Sequence, residues 1–275
     1  MNEMGENMEP FDQMKERISS ALADLPVGEI HFFNSIGSTN DFGFERAKSG
    51  APDLTVISAL EQTAGRGRMH RKWITVPGTS APLTVIIRPK PEEMNYLNLF
   101  SPLTGLAVRE GLAAGWGIKS EINWPNDVLL NRKKICGILC EMLWEGDRLQ
   151  ALILGLGTNL LHGAAPDVSD LTYPASSVED ETGIIISHPE WIRSFMQQLI
   201  RIRPLLGKPE FFELWEKSLA YRNETVTLIS PDGTAIQGTI QGIDDDGKLI
   251  VKNESGEIQT YLAGEISLRP ISDHS

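Results

Sequence analysis

Apolar residues recur at helical intervals at Phe11, Met14, Ile18, Leu22 and Leu25, which predicts a short amphipathic helix that Pro26 ends. The pattern then changes to short apolar runs. Residues 55–59 (TVISA), 83–87 (LTVII), 135–143 (ICGILCEML) and 151–157 (ALILGLG) read as strands buried on at least one face. Between them, Ser101 followed by Pro102 is a helix-start signal, an N-cap hydroxyl before a proline at the first helical position. Leu103, Leu106, Ala107 and Ala114 give that helix an apolar stripe, and Gly115 with Gly117 stops it. Two more helices are predicted from Pro189 (Trp191, Ile192, Phe195, Leu199 and Ile202 inward) and from Pro209 (Phe211, Phe212, Trp215 and Leu219 inward).

After Tyr221 the runs shorten and alternate. VTLI, AIQGTIQGI, LIV and IQTYL within 224–271 are each long enough for one strand of a small barrel. Turns such as Pro231-Asp232-Gly233 and Asp245-Asp246-Gly247 separate them. The chain therefore divides into a leader with a short helix (1–29), a mixed α/β domain (30–220) and a small all-β domain (221–275). No fixed-period repeat is visible.

Composition narrows the function. Lys and Arg number 25 against 37 Asp and Glu, a net charge of −12, and the segment 221–275 is acidic too. A surface that tracks phosphates needs excess cations, so this balance argues against generic nucleic-acid binding. A DNA-reading helix-turn-helix module needs about three helices, and there is no room for them before Ser38. No apolar run approaches the ~18 residues of a membrane span. Met1–Pro10 carries five acidic or amide side chains and no basic one, so it reads as neither a secretion signal nor a transit peptide. Two cysteines make no disulfide framework, which points to the reducing cytoplasm.

The most informative stretch runs from Glu61 to Trp73 and carries four cations and one carboxylate inside an acidic protein. Gly65 and Gly67 let the backbone approach a ligand and aim its N–H groups at it. Arg66 and Arg68 add guanidinium groups that grip phosphate or carboxylate in bidentate fashion. A solvated basic turn is the alternative reading. His70 stands where a dinucleotide fingerprint needs its third glycine, and no G-K-[ST] follows, so neither common phosphate loop is present.

A second stretch is Asn123-Trp124-Pro125-Asn126-Asp127, followed by Lys134 through Glu141. Pro125 marks a strand end or bulge. Asn126 and Asp127 either hold a turn through their own side chains or orient a ligand or magnesium. Gly137, inside an apolar run, marks a close approach to the backbone. Cys136 and Cys140 share a strand face with no His or Cys cluster nearby, so they read as apolar packing. Gly155 to Asn159 ends a strand in a polar tip, and Ser38-Thr39-Asn40 taken alone is a helix cap. His31, His162, His188 and His274 show no partner pattern.

Together these elements resemble the biotin protein ligases, also called biotin–[acetyl-CoA-carboxylase] ligases. The resemblance rests on Ser38-Thr39-Asn40, Gln62 through Trp73 (G-R-G-R-x-x-R-x-W), Trp124-Pro125-Asn126-Asp127, Lys134 through Glu141, and Gly155 to Asn159. The ending Gly264 to Arg269 is similar to that family's small C-terminal domain, and the match spans roughly residues 30 to 270. It implies an α+β fold: a mixed β-sheet flanked by helices, related to lipoate ligases and class II aminoacyl-tRNA synthetases, with a C-terminal SH3-like β-barrel. It implies ATP-dependent activation of biotin to biotinyl-5'-AMP, then transfer to a lysine of a biotin carboxyl carrier domain. ATP and Mg2+ are the implied cofactors. Neither DNA nor membrane is an expected partner, and a homodimer is allowed because exposed strand edges in that family often pair.

The resemblance also assigns roles. Ser38, Thr39, Asn40, Gln62, Gly65, Arg66, Gly67, Arg68, Asn123, Gly137 and Gly155 fall to biotin. Arg68, Trp73, Asn126, Lys134 and Asn159 fall to ATP, Asp127 to Mg2+, and Arg66, Arg68 and Asn123 to catalysis. One position departs from the pattern: the family has lysine before Trp-Pro-Asn-Asp, where this chain has Asn123. That substitution leaves three expectations. The enzyme works with Arg68 or Lys134 compensating, which is the favoured one; the protein binds biotin without synthesis; or the chain is an engineered variant. A repressor form of the ligase and a lipoate ligase on the same fold are further rivals. The charge and short leader oppose the first, and the Arg-Gly-Arg loop and C-terminal domain oppose the second.

Overall fold

A computed structural model describes residues 11–165, 174–230, 232–263 and 267–270. The leader Met1–Pro10, Pro231, the Gly264–Ile266 part of the C-terminal motif and His274 lie outside the described residues.

Helix α1 (Phe11–Leu22) buries Ile18 and Leu22 and stops four residues before Pro26. Strand β1 (Ile30–Ile36) then leads into α2 (Thr39–Lys48), which crosses to β2 (Thr55–Gln62), paired parallel to β1. After a long loop come β3 (Ser80–Ile87), a kinked 3-10 segment (Pro91–Leu99) and α3 (Phe100–Trp116). Next are β4 (Glu121–Asn123), β5 (Asp127–Leu130) and the long hairpin β6 (Lys133–Glu145) and β7 (Arg148–Asn159). Helices α4 (Val178–Thr182), α5 (His188–Ile202) and α6 (Pro209–Ser218) complete this part. The seven strands form one sheet in the order β1-β2-β3-β7-β6-β5-β4, parallel only at β1–β2. The expected mixed sheet with flanking helices is thus observed.

Alternation along the strands splits the interior in two. Val56, Leu60, Leu83, Val85, Leu152 and Leu154 join the large core shared with α1, α3 and α5. Ile57, Ile86 and Ile153 face the other way, toward Ala47 and Ala51 at the end of α2. Helix α2 is fixed at both ends. Ser38 caps its N-terminus, and Arg88 reaches back to donate to the Ala47 and Ala51 carbonyls at 2.7 and 2.8 Å.

Strands β8 (Thr225–Ile229), β9 (Ala235–Ile243), β10 (Leu249–Asn253), β11 (Ile258–Tyr261) and β12 (Ser267–Pro270) form a separate antiparallel sheet, ordered β11-β10-β9-β8-β12. It docks through the turn before β10, where the Gly247 carbonyl accepts a bond from Trp124 Nε1 at 3.1 Å. This is the sheet expected of an SH3-like domain.

Two sequence readings need correction, and one strand lies outside them. Ser101 is not an N-cap: α3 continues directly from the 3-10 segment, and the Ser101 hydroxyl sits 3.5 Å from the Pro125 carbonyl. The helix stops at Gly117, in the left-handed region at φ 69°, with Gly115 still helical. Strand β1 falls outside the predicted runs because Asn34 and Ser35 interrupt its apolar stretch. Among the described residues, no helix is long and apolar enough to cross a membrane.

Candidate active site

The α2 face of the sheet is covered only in part by α2, and the rest lies under the loop between β2 and β3. Where α2 begins, its first residues meet the end of β2. Ser38 Oγ accepts from the Asp41 amide at 3.4 Å, so the predicted cap is real. The Thr39 N–H donates to Gln62 Oε1 at 2.8 Å, with the Thr39 hydroxyl 2.9 Å from the same oxygen. Asn40 Nδ2 donates to Glu141 Oε2 at 2.8 Å, and its Oδ1 accepts from Thr84 at 2.7 Å. Ser38, Thr39 and Asn40 are buried.

The loop beyond Gln62 folds back on itself. The Gly67 N–H donates to Arg71 and the Trp73 N–H to Gly65, at 2.7 and 2.9 Å, so residues 65–73 form a strap anchored at both ends. A side chain on Gly65 would lie 2.5 Å from the Trp73 carbonyl, so close backbone approach requires glycine there. Gly67 has φ −116° and no such constraint. Under the strap is a cleft of about 740 Å³ lined by Gln62, Gly65, Arg66, Gly67, Arg68 and Trp73 among others. Arg66 reaches across it to Glu141 at 2.9 Å and Asp41 at 2.7 Å. The Glu141 hydrogen bond and charge hold its proton more tightly than usual. Arg68 is half-buried and donates to Asn126 Oδ1 at 2.7 Å. Burial lowers its pKa, opposed by the nearby Asp127 carboxylate.

Beyond Arg68 lies a second group. Asn126 Nδ2 donates to the Ile138 carbonyl, and Lys134 Nζ pairs with Asp127 at 2.8 Å. The same ammonium stands 5.8 Å above the Trp73 ring. Asn159 donates to the Ser176 carbonyl at 3.0 Å. Asn159 Oδ1 and Trp73 Nε1 are buried without a hydrogen-bond partner among the described residues, the condition in which a polar ligand is most strongly favoured. Asn123 is buried at the end of β4, in register with Asp127.

The predicted residues therefore form two groups, one around Gln62 and Arg66, the other around Asn126, Asp127, Lys134 and Asn159, with Arg68 and Trp73 joining them. At the strand glycines the close approach read for Gly137 is met by side chains of the chain itself. A side chain on Gly155 would sit 2.2 Å from Asn40 Oδ1, and one on Gly137 would sit 2.9 Å from Trp73. The depressions over these glycines hold the chain's own side chains. Gly157, which carried no assigned role, is the tightest against the indole, at 2.3 Å.

Asp127 makes a poor magnesium cage by itself. Its Oδ1 is already engaged by Lys134, and among the described residues no three His, Cys, Asp or Glu side chains come together to hold a metal. Burial drives the Cys136 and Cys140 thiols up to about 12, as expected for packing residues rather than ligands.

Sequence reasoning assigned no role to Thr84, Asp41 or Glu141. A carboxylate inside the apolar run ICGILCEML was a usable signal for Glu141, whereas Thr84 looks like any β-branched strand residue.

Residues 32–159 match the model of the biotin/lipoate A/B protein ligase family, and residues 222–269 match the biotin protein ligase C terminal domain. The biotin–[acetyl-CoA-carboxylase] ligase of Paracoccus denitrificans is 35% identical over 219 residues, covering 76% of this chain and 88% of that protein. The bifunctional ligase/repressor BirA of Bacillus spizizenii is 32% identical over 231 residues, covering 83% and 70%. Among solved structures, the biotin protein ligase from Aquifex aeolicus in complex with biotin and ATP superposes with a TM-score of 0.75 at 26% identity, covering 88% of this chain and 99% of that one.

Proposed function

The chain belongs to the biotin protein ligase family, and on that premise we propose that it joins biotin to ATP and passes the biotinyl group to a carrier-domain lysine. The observation that carries this reading is the meeting of Arg66, Arg68 and Gln62 on one cleft, with Lys134 and Asn126 reached through Arg68 and Trp73. A carboxylate and a triphosphate repel each other, so bringing them together calls for cations and aligned donors. Arg66 is the grip for the carboxylate, held by Glu141 and releasing Asp41 in exchange. Arg68, Lys134 and Asn126 face the phosphates, and Trp73 with Asn159 faces the rest of the nucleotide.

In the first step a carboxylate oxygen bonds to the α-phosphorus and the bond to pyrophosphate breaks. In the second, the lysine nitrogen bonds to the acyl carbon, AMP leaves with the electron pair, and the nitrogen loses a proton. The strap over residues 65–73 shields the water-sensitive anhydride between the steps. The acceptor is a biotin carboxyl carrier domain of a biotin-dependent carboxylase. Two free thiols support a reducing, cytoplasmic setting.

Asn123 favours a second reading, a protein that binds biotin but adenylates poorly. Losing a cation aimed at a developing anion costs on the order of 3 kcal/mol, a hundredfold or more in rate. Against it stands the Lys134–Asp127 pair, which keeps one ammonium beside the register partner of Asn123. Biotin-dependent exchange of labelled pyrophosphate into ATP, with transfer to a carrier domain, separates the two. Exchange in the wild type, rising about tenfold or more in Asn123→Lys, is expected. No exchange in the wild type, with recovery in Asn123→Lys, would leave only binding.

A further inference from the structure

Thr84 is fully buried midway along β3 and does not line the cleft. Its hydroxyl nevertheless lies 2.7 Å from Asn40 Oδ1 and 2.8 Å from Thr39 Oγ1. A hydroxyl has one proton to donate, so the direction of each bond follows from what its neighbours can do. Asn40 Nδ2 is committed to Glu141 Oε2 and the Leu139 carbonyl, at 2.8 and 3.3 Å, both of which only accept. Asn40 Oδ1 therefore faces Thr84 and, unable to donate, takes its proton. On the other side the Thr39 N–H holds Gln62 Oε1 at 2.8 Å, and the Thr39 hydroxyl donates to Thr84 Oγ1, whose own proton is spent on Asn40. Holding Oε1 turns Gln62 Nε2 toward Gly65, where a side chain would meet it at 3.1 Å. Gln62 thus offers an N–H donor at the cleft, and Glu141 holds Arg66 opposite.

We infer that Thr84 is a positioning residue for biotin, setting the donor end of Gln62 through Thr39 and the Glu141–Arg66 pair through Asn40. A cyclic urea has one carbonyl acceptor, which suits a fixed amide donor. The aliphatic carboxylate at the far end of the same ligand suits a held guanidinium. One buried hydroxyl links both ends. The inference rests on the proposed biotin chemistry and deepens it.

The test is steady-state pyrophosphate exchange and biotin calorimetry on wild type, Thr84→Val, Thr84→Ser and Glu141→Gln. In Thr84→Val the Asn40 oxygen loses its donor and the amide is free to turn. Biotin KM and Kd should rise roughly tenfold, with KM for ATP and kcat within about twofold of wild type. Thr84→Ser keeps the hydroxyl and should restore biotin KM. Glu141→Gln can donate where Glu141 only accepts, so it should reproduce the rise even if Thr84→Val fails to fold. A role confined to packing would lower the Tm or the active fraction of Thr84→Val and leave biotin KM unchanged, which overturns the inference. If the variants match a wild type that binds biotin, the inference alone falls. If the wild type gives no heat with biotin, the proposed function fails and takes the inference with it.

Discussion

Replacing Gly157 by alanine tests whether the glycines under the strap serve packing or ligand access. Gly157 lies on β7 in register with Gly137 of β6, and the Trp73 indole covers the pair. An added methyl carbon would stand 2.3 Å from Cε2, 2.5 Å from Nε1 and 2.6 Å from Cζ2 of that ring. Carbon atoms in contact prefer about 3.5–4.0 Å, so the ring must retreat by roughly 1–1.5 Å, at an overpacking cost of about 1–3 kcal/mol. The retreat cannot stay local, because the Trp73 N–H is bonded to Gly65 and the same strap carries Arg66 and Arg68. Gly157→Ala should therefore lower kcat/KM for ATP by about tenfold or more in pyrophosphate exchange, corresponding to about 1.4 kcal/mol or more. Gly67→Ala is the control. That residue has ordinary negative φ, and the added carbon would meet the Arg71 carbonyl at 3.4 Å, so its exchange rate should stay within about threefold. If Gly157→Ala keeps the wild-type ATP dependence, or Gly67→Ala proves the more damaging, the packing argument is wrong and ligand approach to the Arg-Gly-Arg backbone matters more.

Two further outcomes follow from single contacts. Trp124→Phe keeps a ring in the core but leaves the half-buried Gly247 carbonyl without its indole donor. Urea unfolding should show a loss of about 1–2 kcal/mol and, if the second sheet props the Trp-Pro-Asn-Asp turn, a lower kcat as well. His188 is buried, with Nε2 2.8 Å from the Ser80 carbonyl, and burial depresses its pKa below the usual 6.5. Between that depressed value and 6.5 the unfolded chain binds more protons, so stability present above pH 6.5 is lost as pH falls through this window. Chemical denaturation of wild type and His188→Gln from pH 8 to 5.5 should show the acid-side loss reduced in the variant.

Residue pattern made much of the scaffold legible, for a definite reason. Buried strands such as 83–87 and 151–157 carry nearly continuous apolar runs because helices or the strap cover both faces of the sheet. The helices from Pro189 and Pro209 announced themselves through proline at the first turn and an apolar stripe. Strand β1 was hidden by the polar pair Asn34-Ser35 near its exposed end, and the start of α3 by the preceding 3-10 turn, which takes over the capping position that Ser101 seemed to fill.

The candidate site was legible where chemistry concentrates unusual residues in sequence, as in the strap with its two arginines between glycines. It was not legible where function is spread across strands. Thr84, Asn40 and Glu141 lie on β3, α2 and β6, distant in sequence, and only the sheet order β3-β7-β6 with α2 above it brings them together. The glycines show the same limit from the other side. A strand glycine signals that something comes close to the backbone, but not what. Here Asn40 lies against Gly155 and Trp73 against Gly137 and Gly157, so two of the residues assigned to ligands are themselves what comes close. Trp73 therefore ties packing against the strand glycines to the strap that carries Arg66 and Arg68, so a change at either glycine reaches the cleft.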